Sequence, residues 1–305
     1  MFLLILIPAL ILLGSAYAYR IAFYSPKKNR DRIPSTDAAQ YDPFRPRMRD
    51  MYRELAERPC EFVTVTSHDG LVLSGRCYDT APGAAVDICF HGYRSHPLTD
   101  LCGGSRLCFS MGHNVILADQ RSHGKSQGNT IAFGIQERMD VLRWIEFARK
   151  RFGNNVKITL YGVSMGGATV LMASGLDLPD NVKSIVADCP YGSAEEIILE
   201  VGKHQHYPPA QIRPFLHLGA WIFGGFRLGE IDAIEAVKHT KVPILIIHGE
   251  ADTFVPAYMS QRIAEANPEK IRRETFPGAE HGISYLVDTP RYERLVQEFV
   301  QAHLR

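Results

Sequence analysis

Gly162-Val163-Ser164-Met165-Gly166 sets a serine between glycines, where the apolar run Lys157 to Tyr161 meets a helix-type run, Met165 to Gly175. A serine on such a strand-to-helix turn holds a cramped backbone that pushes its hydroxyl out at the sheet edge. Glycines two residues to either side leave room for neighbouring chain. At the same turn the helix N-terminus aims free N–H groups at any oxyanion forming beside Ser164. A hydroxyl is a weak nucleophile until a base takes its proton, so this turn predicts a later histidine and a carboxylate to orient it. Gly249-Glu250-Ala251-Asp252 runs off one β-type segment and Gly278-Ala279-Glu280-His281 off the last one, in the order serine, aspartate, histidine.

Other residues compete for these roles. Asp188 also follows a β-type run and competes with Asp252 for the carboxylate role. Glu250 and Glu280 read as solvated loop carboxylates. His91 and His123 lack a second ligand at fixed helical spacing and are expected to hold their loops by bonding backbone, while His248 is expected to brace the acid loop. His204-Gln205-His206 alone makes a poor zinc site, so neither metal nor organic cofactor is expected.

These residues need a sheet to carry them. Glu61 to Thr66 and Leu71 to Tyr78 flank a hairpin turn, Ser67-His68-Asp69-Gly70. Short apolar runs follow at Val86–Phe90, Val115–Ala118, Lys157–Tyr161, Val182–Ala187, Ile244–His248 and Ile271–Phe276, with helix-length segments such as Ile135–Arg151 and Arg291–His303 between them. This alternation predicts an α/β fold: about eight strands in a mainly parallel twisted sheet, with helices on both faces. From 192 to 240 the rhythm breaks, making room for an insertion above the carboxyl edge, expected to be a short helical lid. Its Ile212, Phe215, Leu216, Trp221 and Phe226 suit either a wall for an acyl or aromatic group or the glue that holds the insertion on the body.

Composition narrows the alternatives. The 305 residues are 46% hydrophobic and 22% charged, which excludes collagen-like, fully disordered and many-span membrane chains. A net charge of +1 leaves no broad basic field for nucleic acid. Six cysteines without a CxxC pair suggest buried thiols.

Phe2 to Tyr19 carries no charge, and Arg20, Lys27, Lys28, Arg30 and Arg32 follow it. The segment is expected to be a single-pass N-terminal membrane anchor over residues 1–24, with the rest of the chain cytoplasmic by the positive-inside rule. The alternative is a secretory signal cleaved after Ala16-Tyr17-Ala18, which would place the protein outside the cytoplasm. Residues 25–59 then form a juxtamembrane linker, in which Phe44, Met48, Met51, Tyr52 and Leu55 mark a short amphipathic helix expected to pack on the catalytic body at 60–305.

Taken together, the elbow, His91-Gly92-Tyr93 and Asp119-Gln120-Arg121-Ser122-His123-Gly124-Lys125-Ser126 resemble the α/β-hydrolase fold serine hydrolases, among their membrane-anchored members, over about residues 61 to 305. Ser122 stands where that family usually has glycine. The resemblance implies Ser164 as nucleophile, His281 as general base then acid, and Asp252 as the carboxylate that orients it. It also implies an oxyanion hole from the backbone N–H groups of Tyr93 and Met165. Tyr93 and Trp221 are candidate substrate-binding residues. The expected activity is cleavage of a small-molecule carboxylic ester with an apolar acyl or aromatic part. A serine peptidase or amidase, a thioesterase or a lysophospholipase would use the same residues, and a non-catalytic binding module is the alternative from another class.

Overall fold

A computed structural model describes residues 2–27 and 39–304; the linker residues 28–38 lie outside the described residues. The chain opens with α1 (Phe2–Ala22). A 3-10 turn at Ala39–Phe44 leads into α2 (Arg45–Glu57), and the hairpin β1 (Glu61–Thr66) and β2 (Val72–Tyr78) follows. Then come β3 (Val86–Phe90), α3 (Pro97–Asp100), α4 (Cys102–Ser110), β4 (Asn114–Ala118), α5 (Glu137–Phe152), β5 (Ile158–Val163), α6 (Met165–Ala173) and β6 (Val182–Asp188). The segment expected as a lid holds α7 (Ala194–His204), α8 (Pro209–Ile222) and α9 (Ala233–Val237). The chain ends with β7 (Ile244–Gly249), α10 (Tyr258–Ala266), β8 (Ile271–Phe276), α11 (Ser284–Val287) and α12 (Thr289–His303).

The eight strands form one sheet in the order β1-β2-β4-β3-β5-β6-β7-β8. β2 runs antiparallel to β1 and β4, and every pairing from β4 to β8 is parallel. This is the expected α/β architecture. Along β4 the side chains alternate: Ile116 and Ala118 join the cluster with α5 and α6, while Val115 and Leu117 join the one with α4 and α12. Both faces are therefore covered, which accounts for strands that read as continuous apolar runs rather than alternating ones. The expected amphipathic helix is α2, whose Met51 and Leu55 are buried in that second cluster.

The membrane anchor is corrected by the structure. Among the described residues no helix is long and apolar enough to cross a membrane. Without a spanning helix the basic residues after it have nothing to orient, and the cytoplasmic assignment built on them falls as well. The apolar helix α1 is instead packed along α8. Gly219 of α8 lies so close to α1 that a Cβ there would come within 2.6 Å of the Ser15 carbonyl oxygen, and the ring of Phe215 covers Gly14. Just past the helix, Phe23 is fully buried, edge-on to Phe133 and Phe226; burying one such ring is worth about 2 to 3 kcal/mol. The Ser25 N–H and the Phe23 carbonyl then bond Asn129 and Ile131 of the body.

Candidate functional site

Ser164 sits between β5 and α6 at φ 54° and ψ −115°, a backbone conformation L-residues rarely adopt. Its neighbours must be glycine. A Cβ on Gly162 would lie 2.1 Å from the Gly166 carbonyl oxygen, and one on Gly166 would lie 2.0 Å from that of Phe90. The Ser164 N–H is fastened to the Asp188 carbonyl at 2.8 Å. Met165 opens α6, so its N–H has no acceptor within the helix.

His281 is brought to Ser164 by the loop after β8, with Nε2 3.0 Å from Oγ. Its Nδ1 lies 2.7 Å from Asp252 Oδ2. The loops carrying these two residues cross at Gly249, where a Cβ would meet the Ala279 carbonyl oxygen at 2.2 Å. Asp252 is locked by the Phe254 and Val255 N–H groups, which donate to its Oδ1 at 3.0 and 2.8 Å. His248 Nε2 donates to the Val255 carbonyl at 2.8 Å and lies 3.3 Å from Asp252 Oδ2, so it braces the loop. Burial opposes ionisation of Asp252, but hydrogen bonds from His248 and His281 outweigh it and hold its pKa down to about 2. The competing Asp188 accepts the Tyr292 hydroxyl at 3.0 Å and makes no hydrogen bond to His281. Burial pushes its pKa up to about 6.

The loop after β3 faces Ser164 from the other side. Asp100 accepts the Gly92 N–H at 2.7 Å and the Ser95 hydroxyl, and burial raises its pKa. With Gly92 engaged in this way, Tyr93 supplies the next N–H of the loop. Asp100 was not legible in sequence, because nothing in Pro97-Leu98-Thr99-Asp100 marks it as the residue that holds this turn. His91 and His123 bond backbone as expected. His91 Nδ1 donates to the Gly92 carbonyl at 2.8 Å and its Nε2 accepts the Gln120 N–H at 3.1 Å; His123 Nε2 accepts the Arg94 N–H at 2.9 Å. Burial drives the His91 pKa well down, so it stays neutral. Ser122 has φ 66°, the left-handed region in which glycine is easiest, and its hydroxyl donates to the Thr130 carbonyl at 2.7 Å.

The two candidate substrate-binding residues part company. Tyr93 lines the space over Ser164, but its hydroxyl donates to the Ala22 carbonyl at 2.7 Å and its ring stacks on Phe133. Trp221 is 59% exposed and lines neither cavity beside Ser164. One cavity, about 270 Å³, opens under α2 and is lined by Met48, Asp100, Cys102, Gly104, Ser164 and His281 among others. The other, about 440 Å³, lies between α1 and the helices α7 and α8 and is overwhelmingly apolar. A buried thiol, Cys189, stands 4.0 Å from His281 Nε2, with its pKa raised well above the usual range by burial.

A mainly parallel sheet with a serine elbow, an acid loop and a histidine loop at its carboxyl edge defines the α/β-hydrolase fold, and this chain has that fold. Residues 96–220 match the family model for the alpha/beta hydrolase fold. The chain is 25% identical over 300 residues to the uncharacterized protein YqkD of Bacillus subtilis, covering 97% of this chain and 94% of that one. Among solved structures, the Pyrococcus furiosus esterase Pf2001 superposes with a TM-score of 0.68 at 23% identity, over 83% of this chain and 94% of its own. Est1E from Butyrivibrio proteoclasticus, solved with ferulic acid bound, superposes with a TM-score of 0.60 at 19% identity, over 79% of this chain and 99% of its own.

Proposed function

We propose that the protein is a serine hydrolase that cleaves carboxylic esters with an apolar acyl or aromatic part through an acyl-Ser164 intermediate. The observation that carries this reading is the continuous relay from Ser164 Oγ through both nitrogens of His281 to Asp252, at 3.0 and 2.7 Å. The esterase neighbours in structure support it. Ser164 Oγ attacks the carbonyl carbon while His281 Nε2 takes its proton, and the N–H groups of Tyr93 and Met165 receive the oxyanion. Collapse breaks the bond to the alkoxy oxygen, to which His281 returns the proton, so the alcohol leaves. Water then attacks the acyl carbon, losing its proton to His281, and the acid departs as Ser164 recovers its hydrogen. Asp252 stays ionised throughout, fixing the tautomer and balancing the imidazolium.

The test is hydrolysis of p-nitrophenyl acetate and octanoate by the full chain beside Ser164→Ala, with fluorophosphonate labelling of both. Turnover and labelling that vanish in the variant support the reading. Turnover that survives in Ser164→Ala rejects Ser164 as nucleophile, and wild type that neither labels nor hydrolyses supports the non-catalytic alternative.

A further inference from the structure

Two cavities meet at Ser164, and His281 lines only the one under α2. In the mechanism proposed above, on which this step rests, His281 must hand its proton to the departing alkoxy oxygen, so the alcohol lies on the side where His281 is. The acyl group must then extend the other way, into the cavity under α1. We infer that the N-terminal helix α1 is the acyl-binding wall of this enzyme, and that the site takes an unbranched aliphatic acyl chain laid along that helix.

The lining of this cavity suits such a chain. Tyr17, Ala18 and Ile21 of α1 face Ile197 and Val201 of α7 and Phe215 of α8. Arg94 stands at the edge, but its guanidinium donates to the carbonyls of Ile21 and Tyr24 at 2.8 and 3.0 Å and so caps the end of α1. The cavity runs from Ala22, beside the Tyr93 loop, back to Gly14 under the Phe215 ring. Eight residues of helix span about 12 Å, room for a medium-length chain. The small side chain of Ala18 lies midway and leaves the channel open.

The opposite cavity provides the control. It carries the carboxyl of Asp100 and the thiol of Cys102 near Ser164, and Gly104 there faces open space, with nothing within 4 Å of where its Cβ would be.

The experiment measures kcat/KM for p-nitrophenyl acetate, butyrate, octanoate and dodecanoate with wild type, Ala18→Trp, Phe215→Ala and Gly104→Leu, all as full-length chains. Ala18→Trp is expected to lower the octanoate-to-acetate ratio at least tenfold. Phe215→Ala, which opens the far end, is expected to move the optimum toward dodecanoate and gives an independent readout if the tryptophan variant does not fold. Gly104→Leu should leave the acyl ratio within twofold of wild type. An acyl profile unmoved by both Ala18→Trp and Phe215→Ala, or one moved by Gly104→Leu instead, overturns the assignment while Ser164-dependent turnover still stands. Absence of Ser164-dependent turnover in wild type overturns the hydrolase reading, and the acyl assignment with it.

Discussion

The Tyr93 hydroxyl donates to the Ala22 carbonyl at 2.7 Å, tying the loop whose N–H is proposed for the oxyanion hole to the last turn of α1. Arg94 bonds the same helix end through Ile21 and Tyr24. The geometry of that loop therefore depends on a helix 70 residues earlier in the chain.

Tyr93→Phe keeps the ring on Phe133 and removes this one bond. It is expected to cost about 1 to 2 kcal/mol of stability and to lower kcat several-fold with little change in KM, because a loosened oxyanion donor acts mainly on the transition state. Thermal unfolding and steady-state kinetics on the same preparation check it; a drop confined to KM contradicts it.

Gly166→Ala drives a Cβ to 2.0 Å from the Phe90 carbonyl oxygen, backbone that cannot swing aside. The expected result is a stability loss of about 3 kcal/mol and loss of nearly all turnover, since the elbow must open. Unfolding in urea and residual esterase activity are the measurements, and a fully active, equally stable variant would show that the turn is not as tight as described.

Arg121 is 2% exposed. It donates to Asp140 from Nε and Nη2, each at 2.7 Å, and reaches Asp69 at 3.0 and 3.1 Å. Arg121→Met strands the buried Asp140 carboxylate, which should cost about 3 to 5 kcal/mol. Arg121→Lys should recover only part of this, because an ammonium cannot repeat the two-pronged contact. Equilibrium unfolding of the three proteins decides, and full rescue by lysine speaks against the bidentate account.

Asp188 gives a pH signature. Burial holds its carboxyl at about 6 in the folded protein, against an ordinary 3.8. An acid raised on folding contributes stability that is complete below the unfolded value and is lost as pH rises through the folded one. Asp188→Asn keeps an acceptor for the Tyr292 hydroxyl and removes the buried charge. It should therefore be more stable than wild type at pH 8, by about 1 to 2 kcal/mol after the cost of an amide N–H left unpaired. That advantage should shrink through pH 6 and disappear below about pH 4. Unfolding free energies at pH 4, 6 and 8 test this; a constant difference across the series removes the ionisation argument.

Much of the candidate site was legible because its signals are local. Glycine at 162 and 166 is demanded by backbone contacts within the turn itself and against β3. The acid and histidine loops announce themselves by leaving strand ends. β3 and β8 match their expected bounds, and the helix at α6 begins at the expected residue, since an apolar run and the chemistry of its ends suffice to mark an element. Ser122, standing where the resembled family usually has glycine, occupies a left-handed turn, where its hydroxyl bonds the Thr130 carbonyl.

Asp100, Arg121 and the N-terminal helix show where that legibility stops. Asp100 matters because it meets Gly92, and Arg121 because it meets Asp140 and Asp69; neither partner can be read from the segment that holds the residue. An uncharged run from Phe2 to Tyr19 states only that these side chains leave water. Lipid and a protein groove satisfy that demand equally well in sequence terms, since the hydrophobic effect has no direction. The small residues Gly14, Ser15 and Gly219, matched across two helices 200 residues apart, decided for the groove by letting α1 and α8 approach closely. Sequence alone thus determined the sheet, the elbow and the order of its three polar residues, through local backbone and strand-end chemistry. Only tertiary packing decided that the apolar N-terminus becomes a wall of the cavity beside Ser164.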